Sequence, residues 1–122
     1  MNWKDKRILI VEDDQLSSRF LATVLRDSKA DLLYARNGIE AVDLVRQNGD
    51  LDLILMDVQL PGMSGNEAAS RIRQFNAQIP IIAQTAHAMT EDKDKSINAG
   101  CDDYITKPIN ISLLMRKISQ YI

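Results

Sequence analysis

Cysteine is almost absent: Cys101 is the only one in 122 residues, so no internal disulfide can form. That is compatible with a reducing compartment, and a cytoplasmic location is the expectation. Long apolar runs are missing too. Stretches such as Ile8-Leu9-Ile10-Val11 last only a few residues, far short of the roughly 18 needed to cross a bilayer, so no membrane insertion is expected. The N-terminal segment, Met1-Asn2-Trp3-Lys4-Asp5-Lys6-Arg7, is charged and leads into an apolar run closed by Glu12-Asp13-Asp14. It has neither the apolar core nor the small-residue cleavage site of a signal peptide, and secretion is not expected. No basic block stands out either: 15 Lys+Arg against 17 Asp+Glu give a net charge of −2, so nucleic acid is not an expected direct partner. There is no repeat, linker or low-complexity segment.

What is present is the composition of one ordinary soluble domain covering 1–122, with 45% hydrophobic and 26% charged residues. A chain of this length buries about two-thirds of its unfolded surface and needs no metal or disulfide scaffold to fold. Short runs rich in Ile, Leu and Val alternate with segments whose apolar residues recur three or four apart, the pattern of a parallel α/β sheet covered on both faces. The expected strands are Arg7–Glu12, Asp31–Arg36, Asp52–Asp57, Pro80–Thr85 and Asp103–Thr106. The expected helices are Gln15–Ser28, Gly38–Asn48, Ser64–Phe75, Thr90–Ala99 and Asn110–Tyr121, completing a (βα)5 unit. Asn37-Gly38 and Asn48-Gly49 carry turn chemistry, Ser64 and Thr90 stand where helix N-caps belong, and Gly100 suits a left-handed helix end. Trp3 is expected to lay its ring over the sheet edge. Leu16, Phe20 and Val24, at helical spacing, could dock a partner, but most of that stripe is expected to face the core.

Groups at the carboxyl ends of parallel strands converge on a crevice where ligands bind. Here those ends carry Glu12-Asp13-Asp14, Asp57, Thr85 and Tyr104-Ile105-Thr106-Lys107-Pro108. Singly, each has a plain explanation, because acids after strands are common loop formers and Lys-Pro is often only a turn. Jointly they offer several carboxylates, a hydroxyl and an ammonium on one rim. Crowded carboxylates repel, and a divalent cation with oxygen ligands, such as Mg2+, is the usual remedy. With the cation present, Asp57 could attack a phosphoryl donor while Lys107 and Thr85 meet the phosphoryl oxygens.

In order along the chain, ILIVEDD ending at Asp14, LILMDVQLPGMSG from Leu53 to Gly65, PIIAQTAHA from Pro80 to Ala88 and GCDDYITKPI from Gly100 to Ile109 resemble the receiver domain of two-component response regulators and hybrid histidine kinases. The style is closest to the hybrid-kinase receivers, and the resemblance covers the whole chain. It implies a flavodoxin-like, doubly wound sheet of order 2-1-3-4-5. It also implies a phospho-accepting Asp57, Mg2+ held by Glu12, Asp13, Asp57 and the main-chain carbonyl of Gln59, and a hydroxyl and ammonium at Thr85 and Lys107. Pro108 is expected in the cis form. The implied mechanism is a switch in which Thr85 moves toward phosphorylated Asp57 and Tyr104 turns into the vacated space; Tyr104 also reads as an ordinary half-exposed strand tyrosine. Gln59 and His87 occupy positions that tune aspartyl-phosphate lifetime, although His87 also reads simply as a loop-exposed imidazole.

The implied partner is a histidine kinase or a histidine phosphotransfer domain, with a homodimer through the last two helices and last strand as a further option. The protein would be a self-phosphorylating and dephosphorylating switch and not a turnover enzyme. Gln84 departs from the pattern, since an apolar residue is usual there; either its amide finds a partner or that face is partly solvated. Three other readings compete. A receiver-like docking module would not take phosphate. An aspartyl-phosphate hydrolase would want a second acid where Gln59 stands. A flavodoxin-like cofactor module would want a Gly- or hydroxyl-rich loop after the first strand, where this chain has acids. The chain ends near the expected end of the last helix, which leaves open a stand-alone regulator or a piece excised from a hybrid kinase.

Overall fold

The computed structural model describes residues 2–86 and 89–122. Strands β1 (Arg7–Val11), β2 (Asp31–Ala35), β3 (Leu53–Asp57), β4 (Ile81–Thr85) and β5 (Asp103–Thr106) alternate with helices α1 (Gln15–Arg26), α2 (Gly38–Gln47), α3 (Gly65–Arg73), α4 (Thr90–Ala99) and α5 (Ile111–Tyr121). All strand pairings are parallel and the order is β2-β1-β3-β4-β5, as expected. Among the described residues, no helix is long and apolar enough to cross a membrane.

Every residue of β3 and β4 is buried, because these central strands have helices on both faces. Alternate strand residues separate into two cores. Leu9, Val11, Ile54, Met56, Ile81 and Ala83 meet the buried faces of α2 and α3. Ile8, Ile10, Leu53, Leu55, Ile82 and Ile105 instead meet Leu21 and Leu25 of α1 and Leu114 and Ile118 of α5.

Local chemistry sets the helix ends. Asp14, Asn37, Ser64 and Asn110 cap α1, α2, α3 and α5 by accepting main-chain N–H groups three residues on. Thr90 is not a cap. It is the first residue of α4, and the capping position belongs to Met89, which makes no side-chain cap hydrogen bond. Gly100 ends α4 at φ 117°, a conformation that costs glycine no steric penalty. Helix α1 stops at Arg26 and not Ser28, as Lys29 turns the chain at φ 66°.

Two placements differ from expectation. Trp3 does not cover the sheet edge; it is buried with the α1–α5 core, its main-chain N–H bonded to the Ser28 carbonyl. The stripe Leu16, Phe20, Val24 is not mainly core: Leu16 and Phe20 are 75% and 42% exposed, and only Val24 packs partly inward. Leu21 and Leu25, one position further round the helix, take the core face.

Candidate functional site

The site lies where β1, β3, β4 and β5 end. Strand β1 delivers Glu12 and Asp13, β3 ends in Asp57, β4 ends in Thr85, and the segment after β5 carries Lys107. Parallel pairing brings the ends together because neighbouring strands run in register, with Val11 beside Met56, Asp57 beside Gln84 and Thr85 beside Thr106. The Lys107–Pro108 peptide is cis, as expected, and the Lys107 N–H donates to the Thr85 carbonyl at 2.8 Å.

Carboxylate oxygens of Glu12, Asp13 and Asp57 lie within 4.8 Å of one another. Glu12 and Asp57 are buried, at 4% exposure each, whereas Asp13 faces solvent. Lys107 Nζ bridges the buried pair, 3.2 Å from Glu12 Oε2 and 3.3 Å from Asp57 Oδ2. The Gln59 N–H donates to Asp57 Oδ1 at 3.1 Å, so both oxygens of this carboxylate are held. Asp14 is turned away as the α1 cap, where its bonds to Ser17 hold its carboxyl below the usual range.

One ammonium does not balance three carboxylates. Two like charges about 5 Å apart repel by about 3 kcal/mol at an effective dielectric of about 20. Burial, followed by the charge of Asp57, pushes Glu12 up to about 7. Lys107 is raised as well: burial would lower it, but the charges of Asp57 and Glu12 outweigh burial. A set of hard oxygen donors this short of positive charge suits a divalent cation such as Mg2+.

Gly65 explains the tightness of the wall beside Asp57. A Cβ at Gly65 would fall on the Asp57 carbonyl, and the Gly65 N–H donates to Val58 O at 2.9 Å, so the start of α3 closes directly onto the strand end. Thr85 is buried at 3% exposure. Thr85, Ala83 and Ile81 alternate onto one face of β4, and Tyr104 pairs with Ala83 and packs against the core of that face. Two cations stand over the Tyr104 ring, Lys93 Nζ of α4 at 4.9 Å and Lys117 Nζ of α5 at 5.4 Å. Neither lysine stood out in the sequence, because each is one charge among many on an exposed helix. His87 lies outside the described residues.

The Gln84 amide nitrogen meets neither expectation, having neither a partner among the described residues nor contact with solvent. The residue as a whole is 1% exposed.

The model of the response regulator receiver domain matches residues 8–119. The chain is 38% identical over 119 residues to the polar-differentiation response regulator DivK of Brucella anthropi, covering 96% of both. It is 40% identical to hybrid signal transduction histidine kinase I of Dictyostelium discoideum, and 41% identical to the sensor protein GacS of Pseudomonas syringae. The chain spans only 7% and 12% of the lengths of those two kinases. Among solved structures, the receiver domain of Saccharomyces cerevisiae Ssk1, crystallised with the histidine phosphotransfer protein Ypd1, superposes with a TM-score of 0.89 at 40% identity, covering 95% of this chain and 88% of that one. The receiver domain of a Pseudomonas aeruginosa sensor histidine kinase, with a magnesium ion coordinated in its active-site cleft, gives 0.88 at 32% identity and covers 95% and 96%. The family model spans nearly the whole chain and the relatives agree with it, so the chain belongs to the response-regulator receiver domains of two-component signalling.

Proposed function

We propose that this receiver accepts a phosphoryl group on Asp57 from a phosphohistidine of a kinase or phosphotransfer domain. One observation carries the reading: Asp57 is buried at a strand end, fixed by the Gln59 N–H and Lys107, inside a carboxylate cluster that lacks positive charge. Those bonds hold the carboxylate in one plane, which favours in-line attack. An Asp57 oxygen bonds to phosphorus as the phosphorus–nitrogen bond to the donor imidazole breaks. Lys107, already 3.3 Å from Asp57 Oδ2, offsets charge on the phosphoryl oxygens, and Thr85 donates its hydroxyl to one of them. Mg2+, which Glu12, Asp13, Asp57 and the Gln59 carbonyl would hold, supplies further positive charge against those oxygens.

Movement of Thr85 toward the acyl phosphate opens room on the face it shares with Tyr104, and rotation of that ring changes the α4–β5–α5 surface. The phosphoryl group must bind one arrangement more tightly than the other for this shift to occur. That surface, where Ile97 is 41% exposed, is the proposed site of homodimer or effector contact. Acceptance is stoichiometric, so the protein is a switch and not a turnover catalyst. Gln59 and His87 are proposed to govern the access of water to the acyl phosphate. Gln59 leaves the site without the second acid a hydrolase would use. The protein is proposed to act in the cytoplasm, with no direct contact to nucleic acid. The donor is proposed to dock on the exposed stripe of α1, where Leu16 and Phe20 face outward beside the rim.

The test is intact mass after incubation with acetyl phosphate, with and without Mg2+, beside Asp57→Asn. A single Mg2+-dependent phosphoryl adduct, absent in the variant, is expected. Failure with both acetyl phosphate and a phosphorylated histidine phosphotransfer protein would leave the docking-module reading in its place.

A further inference from the structure

A groove of about 710 Å³ runs between α1, the end of β4 and the segment after β5, lined mainly by Leu16, Phe20, Leu21, Pro108 and Ile109. Its size falls within the range of about 300–1,000 Å³ typical of small-molecule sites, and such sites pair apolar walls with a few directed polar groups. Three polar residues are among its lining: Ser17, Gln84 and Lys107. Two are engaged elsewhere. The Ser17 hydroxyl donates to Asp14 Oδ2 at 2.8 Å, and the Lys107 ammonium is held by Glu12 and Asp57, leaving only its stem to the groove. The third is Gln84. It follows Ile82 on the same sheet face, toward α1 and α5, and its buried Nε2 has no partner among the described residues. An amide donor buried without a partner costs stability, and an acceptor arriving from outside would offset that cost.

We infer that the groove between α1 and the segment after β5 binds a small, uncharged, largely apolar molecule whose carbonyl accepts a hydrogen bond from Gln84 Nε2. An uncharged ligand fits because the nearby ammonium is already spent on two carboxylates, and a carboxylate ligand would face Glu12 and Asp57 across Lys107. Occupancy also bears on the phosphorylation site, since the ligand would pack against the stem of the lysine that holds Asp57. Binding itself is independent of phosphoryl chemistry and is read separately from it.

The experiment follows the isotope-labelled full chain by NMR during titration with N,N-dimethylbenzamide, and with cumene, an aromatic of similar shape without an acceptor. Gln84→Leu is the comparison, a change that removes the buried donor while keeping an apolar side chain of similar bulk. Saturable shifts are expected at the Gln84 side-chain amide and at the methyls of Leu16, Leu21 and Ile109. The benzamide should bind Gln84→Leu about tenfold more weakly, the worth of about one hydrogen bond, while cumene binds both proteins alike. Absence of saturable binding in the folded protein overturns the inference. Equal benzamide affinity for both proteins, or contact of Gln84 with water only, overturns it as well. So does a Gln84→Leu effect confined to transfer from a histidine phosphotransfer protein, which would leave the groove as no more than an extension of the donor-docking stripe proposed for α1.

Discussion

The two ends of the sheet handle charge in opposite ways. At the amino ends of the strands two arginines, Arg7 and Arg73, each meet several acceptors. Arg7 reaches Asp31 at 3.1 Å and Asp50 at 2.7 Å, while its main-chain N–H donates to Asp52 at 2.8 Å. Arg73 donates to the carbonyls of Gly100, Asn76 and Ile79 and to Asp102, which in turn accepts the Ile81 N–H. At the carboxyl ends three acids cluster, and the two buried ones share one lysine. The balanced end ties loops to strands and holds the fold. The unbalanced end holds a charge deficit in place, which is useful only if something positive is to be bound or a charged group transferred.

The comparison breaks most visibly at Asp57. Asp57→Asn should abolish the phosphoryl adduct in intact-mass measurements while leaving a folded protein, because it removes the proposed nucleophile and one repelling charge together. Arg73→Ala should do the reverse. It strands three carbonyls and Asp102 between α3 and β5, so urea unfolding should show a loss of about 2–3 kcal/mol with phosphoryl acceptance retained. Glu12→Gln should stabilise the metal-free protein at neutral pH by about 1 kcal/mol while weakening Mg2+ binding, read by unfolding and by calorimetry.

That variant also sharpens the contrast through pH. Glu12 is raised from 4.5 to about 7 in the folded chain, so the fold binds its proton more tightly than the unfolded chain does. Its stabilising effect is complete below about 4.5 and is lost as pH rises through about 7. Metal-free wild type should therefore lose stability relative to Glu12→Gln across that window, and Mg2+ should reduce the difference. The smallest effect is expected at the exposed Arg71–Glu67 pair, 3.3 Å apart on α3. Glu67→Ala should change unfolding free energy by no more than about 0.5 kcal/mol, beside no change in acceptance.

The strands and the strand-end residues were legible in the sequence because each is a local signal. An apolar run closed by acids marks both a buried strand and the rim group at its end, and a parallel sheet then gathers those ends without further information. The α1 stripe was misread for a different reason. Leu16 and Phe20 are four apart, and so are Leu21 and Leu25, and period alone does not say which stripe meets the sheet. Arg73 was illegible because its partners Gly100 and Asp102 lie 27 and 29 residues away. Thr90 looked like a cap because it precedes acids, yet Met89 holds the capping position without a side-chain acceptor. Gln84 was visible as an anomaly, but its consequence emerged only once the groove above it had a shape.

Helix α4 buries a single residue, Ser96, whereas α3 buries Gly65, Ala68, Ala69 and Ile72. Side-chain burial is what resists displacement, at about 25 cal/mol for each Å² of apolar surface withdrawn from water. The molecule is thus graded in softness across one face, firm at α3 and yielding at α4. On the switch proposed above, a modest input of free energy at the rim would displace the compliant helix before the firm one, so the direction in which a signal would leave follows from where the core is thin.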